Sequence, residues 1–305
     1  MLSVWATNVF SAPATSFDTL QTSPSLPVNQ QKLRFVSTAF VGSYALCMTG
    51  LYSLWYKDYT GSRFHRFNDN GEWLQMDKVG HAFSTFQLSR IGSASYAWTG
   101  IPKKKAAVLG AGSALLVMTS IEIFDGYSDH WGFSWGDVKA NTLGASCFLL
   151  QDMSWQEPRI KFCYTFHQTK YAAIRPALLG SNFTEQILKD YNGQTFWLSG
   201  NIRSFAPSWH AIPRWLNLAI GYGAEGMVGG HDNIFTDSNN HILDYSLKYP
   251  RSRQYYLSLD LDLTKTNLRP GFFKSLASAI GMIKIPAPAI ELNSQGEMSF
   301  HPFYF

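Results

Sequence analysis

Three pairs of polar side chains in the first half of the chain are spaced so that they could move a proton or hold a cation. In "MDKVGHAF" (residues 76–83), Asp77 and His81 stand four positions apart. On a helix they would share one face, and the carboxylate would orient the imidazole and raise its pKa. In "FSWGDVKANTLGA" (residues 133–145), Asp137 and Asn141 repeat the same spacing. Glu122 and Asp125, three apart, close the apolar run that begins at Ala106. Two chemistries fit these residue types. Asp77, His81, Glu122 and Asp125, with Asp137 beside them, make an oxygen-rich set with one imidazole, suited to a divalent metal such as magnesium, manganese or non-haem iron. Alternatively, His81 is a general base oriented by Asp77, and Glu122 or Asp137 is the acid of a hydrolytic reaction. Lys78, Ser134 and Asn141 complete the polar set. Each residue also has a plain structural role open to it: Asp77 and Asp137 as helix-start acids favoured by the dipole, Glu122 as a helix-end charge, His81 as a hydrogen-bonded core or surface ring.

Such residues work only if the elements carrying them converge. The run Leu33–Tyr56 carries one charge, Arg34, and Ala106–Phe124 is broken only by Glu122; each is about long enough to cross a bilayer, for which roughly 20 residues suffice. His81–Trp98 is less apolar, and Val138–Leu150 is shorter. We read four helices packed as a bundle, with Ser134 capping the fourth in an S-x-x-D pattern. The polar residues fall at helix ends, so an antiparallel bundle would gather Asp77, His81, Glu122, Asp125 and Asp137 at one end. The loops "KDYTGSRFHRFNDNGEWLQM" and "FDGYSDHWGFSWGD" connect these helices, and their His65 and His130 rank behind His81 because loop histidines are commonly solvated.

Composition narrows the setting. Of 305 residues, 46% are hydrophobic, 15% aromatic and only 15% charged, well under the roughly 25% charge of a soluble domain, which points to an envelope or membrane-facing protein. The net charge of +4 is scattered apart from Lys103–Lys105, and no nucleic-acid partner is expected. Cys47, Cys147 and Cys163 show no CxxC spacing; we expect no disulfide framework, with the first two as small buried thiols. The opening stretch, residues 1–30, reads as a signal remnant or flexible tail, since Ala12-Pro13-Ala14 resembles the end of a secretory signal. No Gly-rich phosphate loop, GxSxG elbow or HExxH helix occurs.

Past about residue 155 the pattern changes from long apolar runs to short alternating segments, dividing the chain into an apolar helical bundle (31–155) and a mixed α/β region (156–305). The fold class is therefore α+β. "YYLSLDLDLT" (255–264) alternates as a half-buried strand. "WLNLAIGYGAEGM" alternates similarly, although Pro213 could open a helix there. "KFCYTFH" and "IKIPAPAIEL" are further strand candidates, the prolines placing the latter at an edge, and "FFKSLASAIGMI" reads as a short amphipathic helix. "DYNGQTFWLSGN" reads as a turn leading into a helix or strand, or as a sugar- or headgroup-facing rim. The ending "SFHPFYF" invites comparison with the last strand of an outer-membrane barrel, against which stand Pro302 and too few alternating segments to close about eight strands.

The order "DKVGHAF", an apolar helix ending in Glu122 and Asp125, then "SWGDVKANTLGA" resembles the YfiM-like family of bacterial predicted periplasmic lipoproteins. At greater distance it is similar to VanZ-like membrane proteins. The resemblance implies that Asp77, Lys78, His81, Glu122, Asp125, Ser134, Asp137, Asn141 and Gly144 carry the family pattern, and it implies a place in the envelope rather than a reaction. With no cysteine before Cys47, the lipid attachment in that family's label is not expected here. These readings together describe a periplasm-facing, membrane-associated envelope protein, at the outer rather than the inner membrane. It would have a binding or assembly role, with membrane lipid and an envelope protein complex as partners. The alternatives are a metal- or acid/base-assisted hydrolase of an envelope lipid or glycan, and a small outer-membrane barrel with a helical plug.

Overall fold

The computed structural model describes residues 27–57, 61–155, 158–237, 239–266, 276–278 and 280–304. Four long helices come first: α1 (Gln30–Leu51), α2 (Met76–Trp98), α3 (Lys103–Gly126) and α4 (Trp135–Trp155). Three of them begin where the local chemistry provides a start. Asn29 accepts from the Lys32 amide at 3.0 Å to cap α1, Pro102 precedes α3, and Ser134 Oγ accepts from the Asp137 amide at 3.2 Å to cap α4. The expected cap at Ser134 is thus formed. The Asp137 carboxylate is left free for other partners.

Helices α2, α3 and α4 pack together through small residues. A Cβ at Gly144 would lie 2.1 Å from the Ala82 carbonyl oxygen, and one at Gly110 would lie 2.3 Å from the Ser93 amide nitrogen. Only glycine lets these backbones meet, and the first contact fixes α4 against α2 one residue from His81. Phe86, Ala107, Ala111, Ala145 and Phe148 fill the space between the three helices. Helix α1 lies more loosely against α2, and α3 is the described helix long and apolar enough to cross a membrane, a property that the core helices of soluble proteins share.

The second half forms a six-stranded antiparallel sheet in the order β1-β2-β3-β6-β7-β8, confirming the α+β reading. Its strands are β1 (Ile160–Phe166), β2 (Gln194–Asn201), β3 (Leu216–Glu225), β6 (Ser252–Leu261), β7 (Ala287–Asn293) and β8 (Met298–Tyr304). A separate hairpin of β4 (Ile234–Thr236) and β5 (Ile242–Asp244) is inserted between β3 and β6. The segment after Pro213 is a strand and not a helix, and "DYNGQTFWLSGN" is a short turn running into buried β2. The proline-bearing β7 is not an edge: it pairs with both β6 and β8, and Pro288 sits at a register shift where its missing N–H is tolerated. The edge strands are β1 and β8, the latter with Pro302. Of the helix expected in "FFKSLASAIGMI", residues 272–275 and 279 lie outside the described residues, and 276–278 are helical. The expected signal remnant lies, up to residue 26, outside them too.

The two halves meet where Phe83 of α2 packs on Phe162, Tyr164 and Phe196 of β1 and β2. Met76 joins Phe196, Ala224 and Met227 in the same core. The cysteine expectation is partly reversed, since Cys47 and Cys147 are exposed and Cys163 is the buried one. All three are free thiols.

Candidate functional site

The N-terminal end of α2 is set by an unusual turn. Trp73, Leu74 and Gln75 all have positive φ (49°, 51° and 65°), a conformation costly for side chains of this size. The second half of the chain holds it. The Trp73 amide donates to the Gly230 carbonyl at 2.8 Å, the Tyr222 hydroxyl donates to the Leu74 carbonyl, and Arg253 donates to the Gln75 side chain at 2.5 Å. The chain then enters α2 at Met76 with Asp77, Lys78 and His81 already aimed inward.

At this end of the helices the separate polar pairs become one cluster. Lys78 Nζ lies 2.7 Å from Asp69 Oδ1, 2.8 Å from Asp137 Oδ1 and 3.1 Å from Asp77 Oδ2, so one ammonium ties α2, α4 and the loop before α2 together. His81 stands beside it. Its Nδ1 is 3.2 Å from Asn141 Oδ1 and 3.4 Å from Glu122 Oε1, while Nε2 is 3.8 Å from Asp77 Oδ1 and 4.0 Å from Asp137 Oδ1. Nδ1 thus faces two oxygen acceptors, and the Thr85 hydroxyl lies 2.8 Å from the His81 carbonyl and 2.9 Å from Asn141 Oδ1. The proton of a neutral His81 therefore belongs on Nδ1, and Nε2 carries the lone pair.

Glu122, Asp137 and Asn141 are buried, and Asp77 and His81 are partly so. Four carboxyls (Asp69, Asp77, Glu122 and Asp137) surround two cationic side chains, so the cluster cannot keep every acid ionised cheaply. Burial, with the charges of Asp137 and Asp125 adding to it, pushes Glu122 up to about 8. Burial and the Asp77 charge push Asp137 up to about 7. Burial also works on Asp77, but His81, Lys78 and the Tyr191 hydroxyl outweigh it and hold this carboxyl below its usual value. For His81, burial disfavours the imidazolium, yet Asp77, Asp137 and Glu122 together raise its pKa. Asp77 and Asp137, both beside Lys78, thus titrate as a pair with one member kept ionised and the other near neutrality.

Asp125 does not join the innermost group. Its carboxylate accepts from the Tyr56 hydroxyl at 2.8 Å, and burial raises its pKa to about 6. The atoms that come within 4.8 Å of one another, as a metal set requires, belong to Asp77, His81 and Asp137. Asp137 thus stands where the expected quartet had Glu122 and Asp125. The Glu122 Oε1 and Asn141 Nδ2 atoms are buried without a hydrogen-bond partner among the described residues, leaving donor and acceptor capacity at the rim of the trio. Lys78 Nζ, however, already supplies a positive charge between Asp77 and Asp137.

His65 and His130 lie in the flanking loops; the His65 ring meets Ser62 Oγ at 3.2 Å, away from His81. Other members of the cluster were not singled out by the sequence. Asp69 binds Lys78 and accepts from Ser134 Oγ at 2.6 Å, and the Tyr191 hydroxyl donates to Asp77 Oδ1 at 2.8 Å. Thr85 extends the Asp77–His81 spacing by another four positions, a signal present in the sequence. Nothing local marks Tyr191, which arrives from a distant turn.

The cluster opens on a cleft of about 310 Å³ between α2, α3 and the start of β2. Asp77 and His81 form its polar end, and Phe83, Met118, Ile121, Leu188 and Phe196 supply apolar wall. Residues 66–152 match the family described as predicted periplasmic lipoprotein (DUF2279). That stretch is less than a third of the chain and encloses the whole cluster except Tyr191. No curated protein and no solved structure matches.

Proposed function

We propose that this chain is a periplasm-facing, membrane-associated envelope protein whose helix-end cluster performs acid–base hydrolysis of an acyl-bearing envelope lipid. The observation that carries the reading is the convergence of Asp77, His81, Glu122 and Asp137, with carboxyl pKa values driven apart, at the polar end of an apolar cleft. The envelope location rests on the match over residues 66–152. The finer YfiM-like affiliation rests on the order of the motifs alone.

In this reading Asn141 accepts from His81 Nδ1; because the surrounding carboxyls raise the His81 pKa, the ring acts once the imidazolium has lost its proton, and Nε2 then takes one from a water in the cleft. The water oxygen adds to the ester carbonyl; as the carbon–oxygen bond breaks, the proton on Nε2 passes to the departing alkoxide, giving a free acid and an alcohol. Asp137, near neutrality, and ionised Asp77 stabilise the transient imidazolium. Phe83, Met118 and Ile121 would take the acyl chain, which favours a lipid over a glycan substrate.

The test is incubation of the full chain with envelope lipid extract in mixed micelles, reading released fatty acid by mass spectrometry. His81→Ala should abolish release, and Asp137→Asn should reduce it at least tenfold, both with an unchanged circular dichroism spectrum. Release untouched by both changes, or none from the unaltered protein, would leave the binding or assembly role in its place. A second reading places a divalent metal on Asp77, His81 and Asp137, favoured by the mutual closeness of their ligand atoms. Loss of release on chelation, restored by magnesium or manganese, would select it.

A further inference from the structure

The sheet is built inside out for a water-soluble protein. On its concave side the strands bury Trp197, Ser199, Asn217, Tyr256, Asp260 and Tyr304, and Lys284 joins them with its ammonium 4.5 Å from the centre of the Trp197 ring. These groups bond to one another. Ser199 Oγ donates to Asp260 Oδ2 at 2.5 Å, Asn217 Nδ2 donates to Ser199 Oγ at 2.9 Å, and the Tyr304 hydroxyl donates to that of Tyr256 at 2.8 Å. The sheet curls far enough for Thr195 of β2 to reach Tyr304 of β8 at 3.0 Å, across three intervening strands. Beyond the other edge, Tyr164 of β1 exchanges backbone hydrogen bonds with Met282 and Lys284.

The convex side carries the aliphatic residues. Successive partners Leu198, Ile220, Leu257, Ile290 and Phe300 form one row across β2, β3, β6, β7 and β8, each 45–66% exposed. Leu218 pairs with Leu259 in the next row toward Leu216, and Tyr222, Tyr255 and Leu292 lie in the row on the other side. In "YYLSLDLDLT", therefore, the leucines face outward and the serine and aspartate inward, the reverse of a strand on a soluble core. No charged side chain interrupts these rows. So many contiguous half-exposed aliphatic side chains on one face are unusual for a soluble monomer.

We infer that the convex face of the β2-β3-β6-β7-β8 sheet lies against the acyl chains of a lipid bilayer. Three features favour hydrocarbon over a protein partner. The rows offer no charged group of the kind that rims a protein interface, and of their two tyrosines the Tyr222 hydroxyl is already committed to the Leu74 carbonyl. The outer face is aliphatic while the inner face, beside its Trp197–Tyr256–Tyr304 cluster, buries Ser199, Asn217 and Asp260, a distribution shared with lipid-facing β-sheets that keep polar groups inside. On one margin the aliphatic rows meet the Tyr222 and Tyr255 rings, tilted against each other with centroids 5.7 Å apart, and at the other exposed Trp215 leads directly into β3, the placement that interfacial aromatics favour. This inference is independent of the chemistry at His81.

The test uses the full chain with Cys47 and Cys147 changed to serine, reconstituted in dioleoylphosphatidylcholine vesicles. Leu257→Cys, Ile220→Cys and, as a control, the fully exposed Leu247→Cys each carry a nitroxide label. The expected result is relaxation of the labels at 257 and 220 by oxygen at least fivefold more than by a water-soluble nickel chelate, with the opposite preference at 247. Nickel access at 257 and 220 equal to that at 247 would overturn the inference. So would shielding of both positions from both reagents, which would mean a protein covers the face. Label mobility matching an unfolded chain at one position leaves the other two labels to decide.

Discussion

The helix-end cluster and the concave side of the sheet both bury charge, but they balance it differently. In the sheet, Asp260 and Asp262 face Lys161, with Nζ–Oδ distances of 3.8 and 3.6 Å, and Lys284 adds a second ammonium nearby. Around Asp260 two acids meet two cations, with the Trp197 ring over Lys284, and farther along the same face buried Glu291 has its own partner in His301 at 2.7 Å. At the helix ends, four carboxyls meet Lys78 and His81, and Glu122 and Asp137 are driven up to about 8 and about 7. The second region opens onto a cleft of about 310 Å³. A balanced buried charge set holds a fold together; an unbalanced one must carry a proton, and one that carries a proton near neutrality can exchange it.

The sharpest way to break this comparison is to remove one cation from each region. Lys78→Met leaves Asp69, Asp77 and Asp137 facing one another, and should cost about 3–5 kcal/mol in chemical denaturation at pH 7.5. At pH 5 the cost should shrink, because Asp137, already raised to about 7, then carries a proton. Lys161→Met, whose ion pairs are longer, should cost about 1.5 kcal/mol with little difference between the two pH values. Equal costs would erase the distinction. Gly144→Val, which drives a side chain into the Ala82 carbonyl, should cost about 2–3 kcal/mol and loosen the cluster, speeding amide exchange in α2 around His81 while leaving the sheet amides unchanged.

A smaller effect sharpens the assignment of the proton. Glu122 binds a proton more tightly folded (about 8) than unfolded (about 4.5), so the folded state holds the extra proton between those values. Its contribution therefore favours folding at low pH and is lost as pH rises toward 8. His81, whose pKa is also raised, acts in the same direction, with its contribution complete below about 6.5. Glu122→Gln should thus flatten the fall in stability between pH 5 and 8 measured by urea denaturation. An unchanged slope would place the proton elsewhere. Smallest of all, Ser134→Ala removes the α4 cap and the hydrogen bond to Asp69, at about 1 kcal/mol.

Much of the helical region was legible from the sequence. Long apolar runs, the Ser134 cap and the placing of Asp77, Glu122 and Asp137 at helix ends follow from short-range rules, and the short turn between α2 and α3 folds the helices back on themselves. What the sequence hid is long-range. Asp69 and Tyr191 reach the site only because the left-handed run at Trp73–Gln75 and the turn before β2 bring them there. Asp125 looked equivalent to Glu122, and Tyr56 drew it away. Strand periodicity located β3 and β6 but carried no sign for which face is covered, since alternation reads the same in water and in lipid. Pro288 misled for a related reason: a bulge lets an interior strand tolerate a residue that local rules assign to an edge.

At neutral pH the helix-end cluster carries a carboxylic proton, and Glu122 holds it. Infrared difference spectroscopy of the carboxyl stretch, recorded from pH 6 to 9 on the unaltered protein and on Glu122→Gln, tests this directly. The account predicts a protonated-carboxyl band at pH 6.5 that fades with a midpoint near 8 and is missing from Glu122→Gln. A spectrum with no such band at pH 6.5, or a band that survives the substitution with the same midpoint, would contradict it.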